Sequence, residues 1–346
     1  MKASTPEARC SLDSRVVKVS EANVQNPPWR HHFIPEFYLK RWCLGGTKLV
    51  QFSRPYGSKV KPKLLSPRET GFVDQLYSLK GLHPSVAERL EERYFNKIDG
   101  RAADAMERFH SDWNTPLATK ERVAWTQFLV SMWTRNPEEI EATKRIYAEN
   151  WGRTTRKLER RYEAARRPSD PPTLKEYLAL TPKEYIERNA MMALAQRGGP
   201  RHTSLHIANM IWGSLSLPVW TEALMTSDRP VLRFLGLGAE NAYIIMPIGP
   251  KHVFYAVNSP HVAQTLADYP AAKLAAEINT QIVEQAHRYA YATTDKPLPF
   301  VQEHLSVKPA PILAEGYKLF PGGQRIEPSE LKRGKELRGR YRDSPI

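Results

Sequence analysis

The chain has 346 residues, of which 41% are hydrophobic, so it can bury a sizeable core, and global disorder is disfavoured. Lysine and arginine number 51 and aspartate and glutamate 37, and the resulting net charge of +14 attracts polyanions, of which nucleic acid is the commonest. The longest apolar run, 242–248, is far shorter than the roughly 20 residues that cross a bilayer, and two cysteines make no disulfide framework, so we expect a cytoplasmic protein without membrane contact.

The N-terminal part of the chain predicts a flexible start followed by short elements. Residues 1–29 are polar and mixed in charge, which predicts a loose leader. The segment 31–42 carries aromatic anchors and predicts a short helix or turn. Alternating residues over 47–54, and weaker alternation over 71–79, predict two short strands.

The middle of the chain predicts long helices. Residues 85–88 have the spacing of a capping box, and apolar residues then recur at helical spacing over 86–109. Gly100 weakens this helix and is a place where it could bend or end.

Two further helix starts follow. Thr115-Pro116 combines a capping residue with a proline in the first turn, and the helix it begins is expected to bury Val123, Phe128 and Met132 or their neighbours. The sequence 136–139 repeats this start signal. Arg135 therefore lies at the junction of two predicted helices.

A basic cluster follows these helices. Between residues 144 and 167 there are nine lysines or arginines and three acids. Several of the basic residues recur at three- and four-residue steps, which places them on one side of a helix. They are Arg153, Arg156, Lys157, Arg160 and Arg161.

The C-terminal half switches from helical to strand patterns and back. A helix is predicted from Thr181-Pro182 to the Gly-Gly-Pro break at 198–200, and another over 202–214. A final helix is predicted over 271–292. Between them, short apolar stretches predict one small antiparallel sheet with a turn at 236–238, and these are 220–226, 231–235, 243–247 and 253–257.

Together the elements predict an α+β fold, predominantly helical, with long helices and one small antiparallel sheet. We divide the chain into the leader 1–29, a single compact α+β domain over 30–295, and a basic, partly disordered tail over 296–346.

Two places along the chain offer groups for chemistry. His31 and His32 are adjacent, and either imidazole could bind a metal or move a proton near neutral pH; alternatively one caps local backbone and the other is exposed. Asp228 follows an apolar strand and precedes Arg229-Pro230, so it could bind a metal, orient a histidine or act as a general base. The structural alternative is a turn in which its carboxylate accepts backbone amides.

Arg135 and Asn279 are the other candidates. A guanidinium at position 135 could hold a phosphate or, as the slightly favoured alternative, cap helix carbonyls. Asn279 lies beside the apolar face of the last predicted helix, so its amide is expected to be partly buried and hydrogen-bonded, which is more often a packing role than a catalytic one. The usual motifs of zinc proteases, serine hydrolases, phosphate loops and dinucleotide sites do not occur; nucleases remain open because their residues are often scattered.

These segments resemble a domain family of unknown function, numbered 4238. The matching motifs, in chain order, are His31-His32-Phe33-Ile34-Pro35-Glu36-Phe37-Tyr38-Leu39, Arg135-Asn136-Pro137, Thr226-Ser227-Asp228-Arg229-Pro230, Pro247-Ile248-Gly249-Pro250 and the helical Asn279. Family members often have serine where this chain has Gly249. The resemblance covers about residues 30–292 and implies a compact helical fold with a small sheet, without an established activity. It groups His31, His32, Arg135, Asp228 and Asn279 as candidates for one site.

The leading functional hypothesis is a nuclease or related phosphodiesterase. In it His31 or His32 acts as acid or base, Asp228 orients it or holds a divalent metal, and Arg135 stabilises phosphoryl charge. The basic helix would follow the nucleic-acid backbone. The sequence specifies neither the metal nor the oligomeric state.

Two alternatives stay open. One is a non-catalytic protein that binds nucleic acid or another partner, with the motif residues as structural braces. The other is an enzyme acting on a small phosphorylated metabolite in a deep pocket.

Overall fold

The structure, a computed structural model, describes residues 30–78, 95–111, 117–197 and 201–316. Its helices are α1 (Glu36–Leu39), α2 (Asn96–Ser111), α3 (Thr119–Thr134), α4 (Pro137–Trp151), α5 (Arg156–Ala165), α6 (Leu174–Ala179), α7 (Lys183–Arg197), α8 (Arg201–Asn209), α9 (Pro260–Asp268), α10 (Ala271–Glu284), α11 (Leu298–His304) and α12 (Leu313–Gly316). Its strands are β1 (Arg30–His32), β2 (Leu49–Ser53), β3 (Lys61–Leu65), β4 (Phe72–Asp74), β5 (Ile211–Ser216), β6 (Thr226–Ser227), β7 (Leu232–Phe234), β8 (Tyr243–Gly249), β9 (His252–Val257) and β10 (Ala290–Ala292).

The described residues form three antiparallel sheets, so the prediction of one small sheet was wrong. β1 and β4 make a two-stranded ribbon, and the two four-stranded sheets have the orders β3-β2-β10-β6 and β5-β9-β8-β7. The first four-stranded sheet joins strands that are remote in sequence, and pairing of that kind leaves no local signal. The mixture of helices and strands agrees with an α+β fold.

The sheet β5-β9-β8-β7 has apolar side chains on both faces. Ile244 and Met246 of β8 point into a core shared with α2 and α3, whereas Ile245 points into a core shared with α10. Neighbouring side chains of a strand alternate between the two faces of a sheet. Because both faces of β8 are covered, this strand is a continuous apolar run.

Aromatic rings connect α2 and α3 to this sheet. The ring centroids of Phe109 and Trp125 are 4.9 Å apart, those of Trp125 and Phe254 are 5.5 Å apart, and those of Phe254 and Trp212 are 5.3 Å apart. All three pairs meet at steep or intermediate angles, the arrangement that aromatic quadrupoles favour. The chain of rings therefore ties the two helices to β5 and β9.

The sheet β3-β2-β10-β6 brings the motif at 226–230 beside the last strand. Ala290 and Tyr291 of β10 pair with Ser227 and Thr226. The Tyr38 hydroxyl donates to the Pro247 carbonyl (2.8 Å) and lies 2.7 Å from the Thr226 hydroxyl. Helix α1 is thus held against both four-stranded sheets.

Several predicted helices are confirmed. Asn136 caps α4, since its side-chain oxygen accepts the Glu139 amide at 3.2 Å. Helix α2 continues through Gly100. In α3, Phe128 and Met132 are buried, whereas Val123 is 45% exposed.

Two predicted helices are shorter than expected because each gives way to a strand. Helix α8 ends at Asn209 and β5 begins at Ile211, so the prediction of helix to residue 214 was wrong. Opposite Tyr255 on β9, Gly213 leaves room for the tyrosine ring, from which an added Cβ would be only 1.8 Å away. Helix α10 ends at Glu284, and 290–292 form β10 rather than helix. No glycine or proline marks this second change.

Some predictions fall outside the described residues. These are the leader 1–29, the capping box at 85–88, the helix start at 115–116 and the tail beyond 316. The first part of the predicted tail, 296–316, is described by the structure. Its helix α11 buries Val301 in a cluster that contains Val283 of α10. In the described part of the chain, none of the helices has the length and apolar character needed to cross a membrane.

Candidate functional site

The ribbon of β1 and β4 positions the two histidines. His31 is buried, its Nδ1 accepts the Tyr77 amide at 2.9 Å, and its ring stacks on that of Tyr77 with 5.4 Å between centroids. An imidazole that accepts an amide in this way ties β1 to the turn that follows β4. His31 thus accepts a backbone amide, but from a residue 46 positions away rather than from the local backbone of the predicted alternative.

His32 is only partly buried, and its ring lies at an angle to that of Phe72, with 5.6 Å between centroids. Its Nε2 makes no hydrogen bond with any described residue. Burial lowers the pKa of His32; Glu36 and the Pro67 carbonyl oppose this effect, and Arg135 adds to it. The net effect favours the neutral form of the imidazole.

Arg135 ends α3 and is fully buried. Its Nη1 donates to both carboxylate oxygens of Asp99, at 2.8 and 3.0 Å, and its Nη2 lies 2.9 Å from the Met132 sulfur. The guanidinium also lies over the rings of Phe95 and Phe128, at 5.9 and 5.6 Å from their centroids. It pairs with a carboxylate rather than with helix carbonyls.

Tyr77 joins the histidines to Arg135. Its hydroxyl donates to the Arg135 carbonyl at 2.8 Å and lies 3.5 Å from the His32 carbonyl oxygen. We call His31, His32, Tyr77, Asp99 and Arg135 the buried polar cluster. It brings together three of the five predicted site residues.

Sequence reasoning missed Asp99, although a signal for it exists. It falls one helical turn after Phe95 and three residues before Ala102, both of which are buried. A carboxylate on the apolar stripe of a helix needs a buried cation. Burial raises the pKa of Asp99, and the charge and hydrogen bonds of Arg135 act in the opposite direction.

Asp228 is buried in a separate set of backbone hydrogen bonds. One carboxylate oxygen accepts the His287 amide at 2.9 Å, and the other accepts the Arg288 and Tyr289 amides at 2.6 and 3.1 Å. Burial raises the pKa of Asp228, whereas these amides and Arg229 lower it. The carboxylate thus accepts backbone amides, as in the structural alternative, but from a segment 59 to 61 positions away.

Ion pairs form beside this carboxylate, at Arg229, which follows it in the chain, and at Arg288, whose amide it accepts. Glu138 of α4 accepts from Arg229 at 2.9 Å and from Arg288 at 3.0 Å. The next residue, Glu139, accepts the backbone amides of Leu313 and Ala314 at the start of α12. The start of α4 therefore holds both the 226–230 motif and the segment after α11.

Asn279 is buried on α10 and bridges to an extended segment. Its side-chain oxygen accepts the Met225 amide at 2.7 Å, and its side-chain nitrogen donates to the Ala223 carbonyl at 3.0 Å. Both ends of the amide are satisfied by the chain just before β6. The expectation of a buried, hydrogen-bonded amide is confirmed.

The basic cluster lies on α5 and just before it. All five of its residues are exposed: Arg153, Arg156, Lys157, Arg160 and Arg161. Leu158 and Tyr162 lie on the other side, where the Tyr162 and Tyr177 rings are 5.4 Å apart. Within the part of the chain that the structure describes, none of the five basic residues forms an ion pair.

The arrangement limits the chemistry available. Within residues 30–78, 95–111, 117–197 and 201–316, no three His, Cys, Asp or Glu side chains are grouped so that they could hold a metal ion. Asp228 and Asn279 are each occupied by backbone partners, and Arg135 has no exposed surface. A concentrated group of exposed cations lies on α5 and just before it.

The fold and the site define an α+β protein with three antiparallel sheets, buried polar braces between remote segments, and a basic helix at the surface. The chain belongs to the family described as "Protein of unknown function (DUF4238)", which it matches over residues 30–296. The resemblance drawn from the motifs is therefore confirmed. No curated protein and no solved structure matches the chain.

Proposed function

We propose that this protein binds nucleic acid through the exposed basic side of α5 and that the polar motif residues brace the fold. The observation that carries the proposal is the set of exposed cations without acidic partners in the described residues. From 153 to 161 there are five basic residues and one acid, Glu159. Concentrated positive charge of this kind attracts phosphate backbones.

The hydrogen bonds of the motif residues support a bracing role. His31 ties β1 to the Tyr77 turn, Asp228 ties β6 to residues 287–289, and Asn279 ties α10 to the chain before β6. Each side chain joins segments that are far apart in sequence. A buried polar group that is fully used in such bonds has little capacity left for a substrate.

The proposal is tested by fluorescence anisotropy with labelled DNA and RNA at increasing salt. The test variant is R156E/K157E/R160E/R161E. Because it removes the phosphate contacts and replaces them with like charges, it should lose binding while keeping the wild-type circular dichroism spectrum. Wild-type binding should weaken steeply as salt rises.

A matched control reverses four exposed lysines elsewhere. The variant K48E/K59E/K61E/K63E changes the region of β2 and β3 by the same charge. The carboxylate of Glu69 interacts electrostatically with Lys48 and Lys63 and so offsets part of the positive charge in this region. We expect this control to retain most of the binding. Equal loss in both variants would mean that total charge, not α5, attracts the nucleic acid.

A nuclease is the second candidate, and one observation favours it. The partly buried His32 has a ring nitrogen without a hydrogen-bond partner among the described residues and a lowered pKa, which suits a general base. Among the described residues, no three His, Cys, Asp or Glu side chains are grouped to hold a metal ion beside it. A contribution from Arg135 would need the ion pair with Asp99 to open.

Cleavage assays separate the two candidates. Wild type, His32→Ala and Asp228→Ala are incubated with DNA and RNA in Mg²⁺, Mn²⁺ or chelator. A nuclease that uses His32 loses cleavage in His32→Ala at temperatures where that variant is folded. Equal background cleavage in all three proteins rejects the nuclease candidate and leaves the binding proposal intact.

A further inference from the structure

We infer that α5 binds the phosphate backbone of double-stranded nucleic acid without reading the base sequence. This inference rests on the proposed function and specifies the form of nucleic acid that the helix accepts. It follows from the cations on the basic side of α5 and from the lack of aromatic rings, asparagine and glutamine on that side.

The basic residues of α5 form one continuous convex surface. With about 100° between successive residues, Arg156, Arg160, Lys157 and Arg161 fall within an arc of roughly 140°. Pairs one turn apart are separated by about 6 Å along the helix axis. Ala164 is the other residue within this arc, so long flexible cations dominate the surface.

No aromatic side chain lies on this arc. Tyr162, the aromatic residue of α5, is on the opposite side, where its ring contacts Tyr177 and its hydroxyl donates to the Pro171 carbonyl at 2.7 Å. Proteins that hold single strands combine a basic groove with aromatic rings on which bases stack. The basic side of α5 has no such stacking surface.

The neighbouring surface is also unsuited to a single strand. A shallow depression beside α5 is lined by Thr154, Thr155, Arg156, Glu159, Arg160 and Glu163. Its two glutamates offset the charge of its two arginines, so the depression attracts phosphate less than the row of cations does. Phosphates therefore bind more favourably over the convex row of cations than along the depression. A duplex holds its phosphates on a rigid outer surface, which can lie against this row.

Readout of adenine edges is disfavoured by the composition of this surface. Asparagine and glutamine, which pair with adenine, are absent from 153–167, and the arginines and lysine, which can pair with guanine, are equally able to reach phosphates. Long cations reaching phosphates position a helix on a duplex without conveying base sequence. Contacts from α5 are therefore expected to have similar energy on unrelated sequences.

The number of contacts sets the salt dependence. Four or five neutralised phosphates give a slope of about −4 for log K against log salt on duplex DNA, from about −0.9 per phosphate. Raising salt from about 50 to about 200 mM should then weaken binding by a few hundred-fold.

The test compares four kinds of labelled probe by anisotropy: a DNA duplex, an RNA duplex and the matching single strands. Each is about 24 nucleotides per strand and is made in two unrelated sequences, which gives eight probes. We expect a duplex to bind at least about tenfold more tightly than its single strands, with the two sequences within about threefold of each other. Both duplexes carry a phosphate backbone, and comparing their affinities shows whether α5 binds DNA, RNA or both.

The outcomes separate this inference from the proposed function. Single strands that bind as tightly as duplexes, or a strong preference for one sequence, would overturn the inference while nucleic-acid binding through α5 survives. No binding to any probe, or full binding by R156E/K157E/R160E/R161E, would overturn both.

Discussion

Breaking the ion pair between Arg135 and Asp99 should strongly destabilise the protein. The Arg135 side chain has no exposed surface, the Asp99 side chain is 19% exposed, and two N–H···O contacts of 2.8 and 3.0 Å join them. Removing one partner leaves a buried charge without compensation, at a cost of about 3–5 kcal/mol. Arg135→Met or Asp99→Asn alone should therefore consume much of the ~5–15 kcal/mol that stabilises a typical domain.

The double variant should be more stable than either single variant. Arg135→Met places an apolar side chain among Phe95, Phe128 and Met132, and Asp99→Asn removes the remaining charge. Exchange of a buried ion pair for neutral groups is often close to neutral in stability. We expect D99N/R135M to cost about 1–2 kcal/mol, against about 6–10 kcal/mol if the single effects added.

Urea unfolding followed by tryptophan fluorescence measures these free energies. The exposed pair of Arg41 and Glu107, with side chains 24% and 70% exposed, is the control, and R41M/E107Q should cost at most about 1 kcal/mol. Additive losses in D99N/R135M would refute the reasoning, because the two charges would then not depend on each other.

Three further predictions concern other buried groups. Burial lowers the pKa of His32, so the unfolded chain binds its proton more readily; the free energy of unfolding should fall as pH drops below about 6.5, and less steeply in His32→Gln. Asp228→Asn should cost about 1–3 kcal/mol and Asp228→Ala more, because three backbone amides lose their acceptors, and thermal unfolding measures the difference. Glu139→Gln should weaken the attachment of α12, which limited proteolysis after residue 304 would detect.

Each of these has a result that contradicts it. Identical pH profiles for wild type and His32→Gln would mean that other groups control acid stability. An unchanged melting temperature in Asp228→Ala would mean that water replaces the carboxylate. Equal proteolysis rates would mean that contacts other than Glu139 hold α12.

Sequence patterns correctly predicted those elements that depend on interactions between residues close together in the chain. Asn136-Pro137 starts α4 because the side chain of Asn136 accepts an amide within the same turn. The spacing of Arg156, Lys157, Arg160 and Arg161 placed them together on α5, since three- and four-residue steps share a helix face. These features depend on residues a few positions apart and can be derived from the sequence.

The wrong predictions concern segments whose structure depends on residues far away in the sequence. Residues 285–292 contain no glycine or proline, yet α10 ends at Glu284 because Asp228 accepts the amides of 287–289 and β2 and β6 pair with 290–292. The strand character of 211–214 depends on pairing with β9. Neither partner can be identified from the segment itself.

The candidate site divides in the same way. The sequence marked His31, His32, Arg135, Asp228 and Asn279 because polar residues stood in recognisable motifs. Their partners were decided by the tertiary structure: Asp99 lies 36 positions before Arg135, and the chain that Asn279 holds lies 54 and 56 positions before it.

By itself the sequence determined the charge of the surface, the helical side on which the α5 cations lie, and the family to which the chain belongs. Only the tertiary structure decided the number of sheets, the ends of α8 and α10, and which polar groups are buried against which partners. Charge and helical periodicity are set by residues close together in the chain, whereas burial and strand pairing depend on segments that meet only after folding.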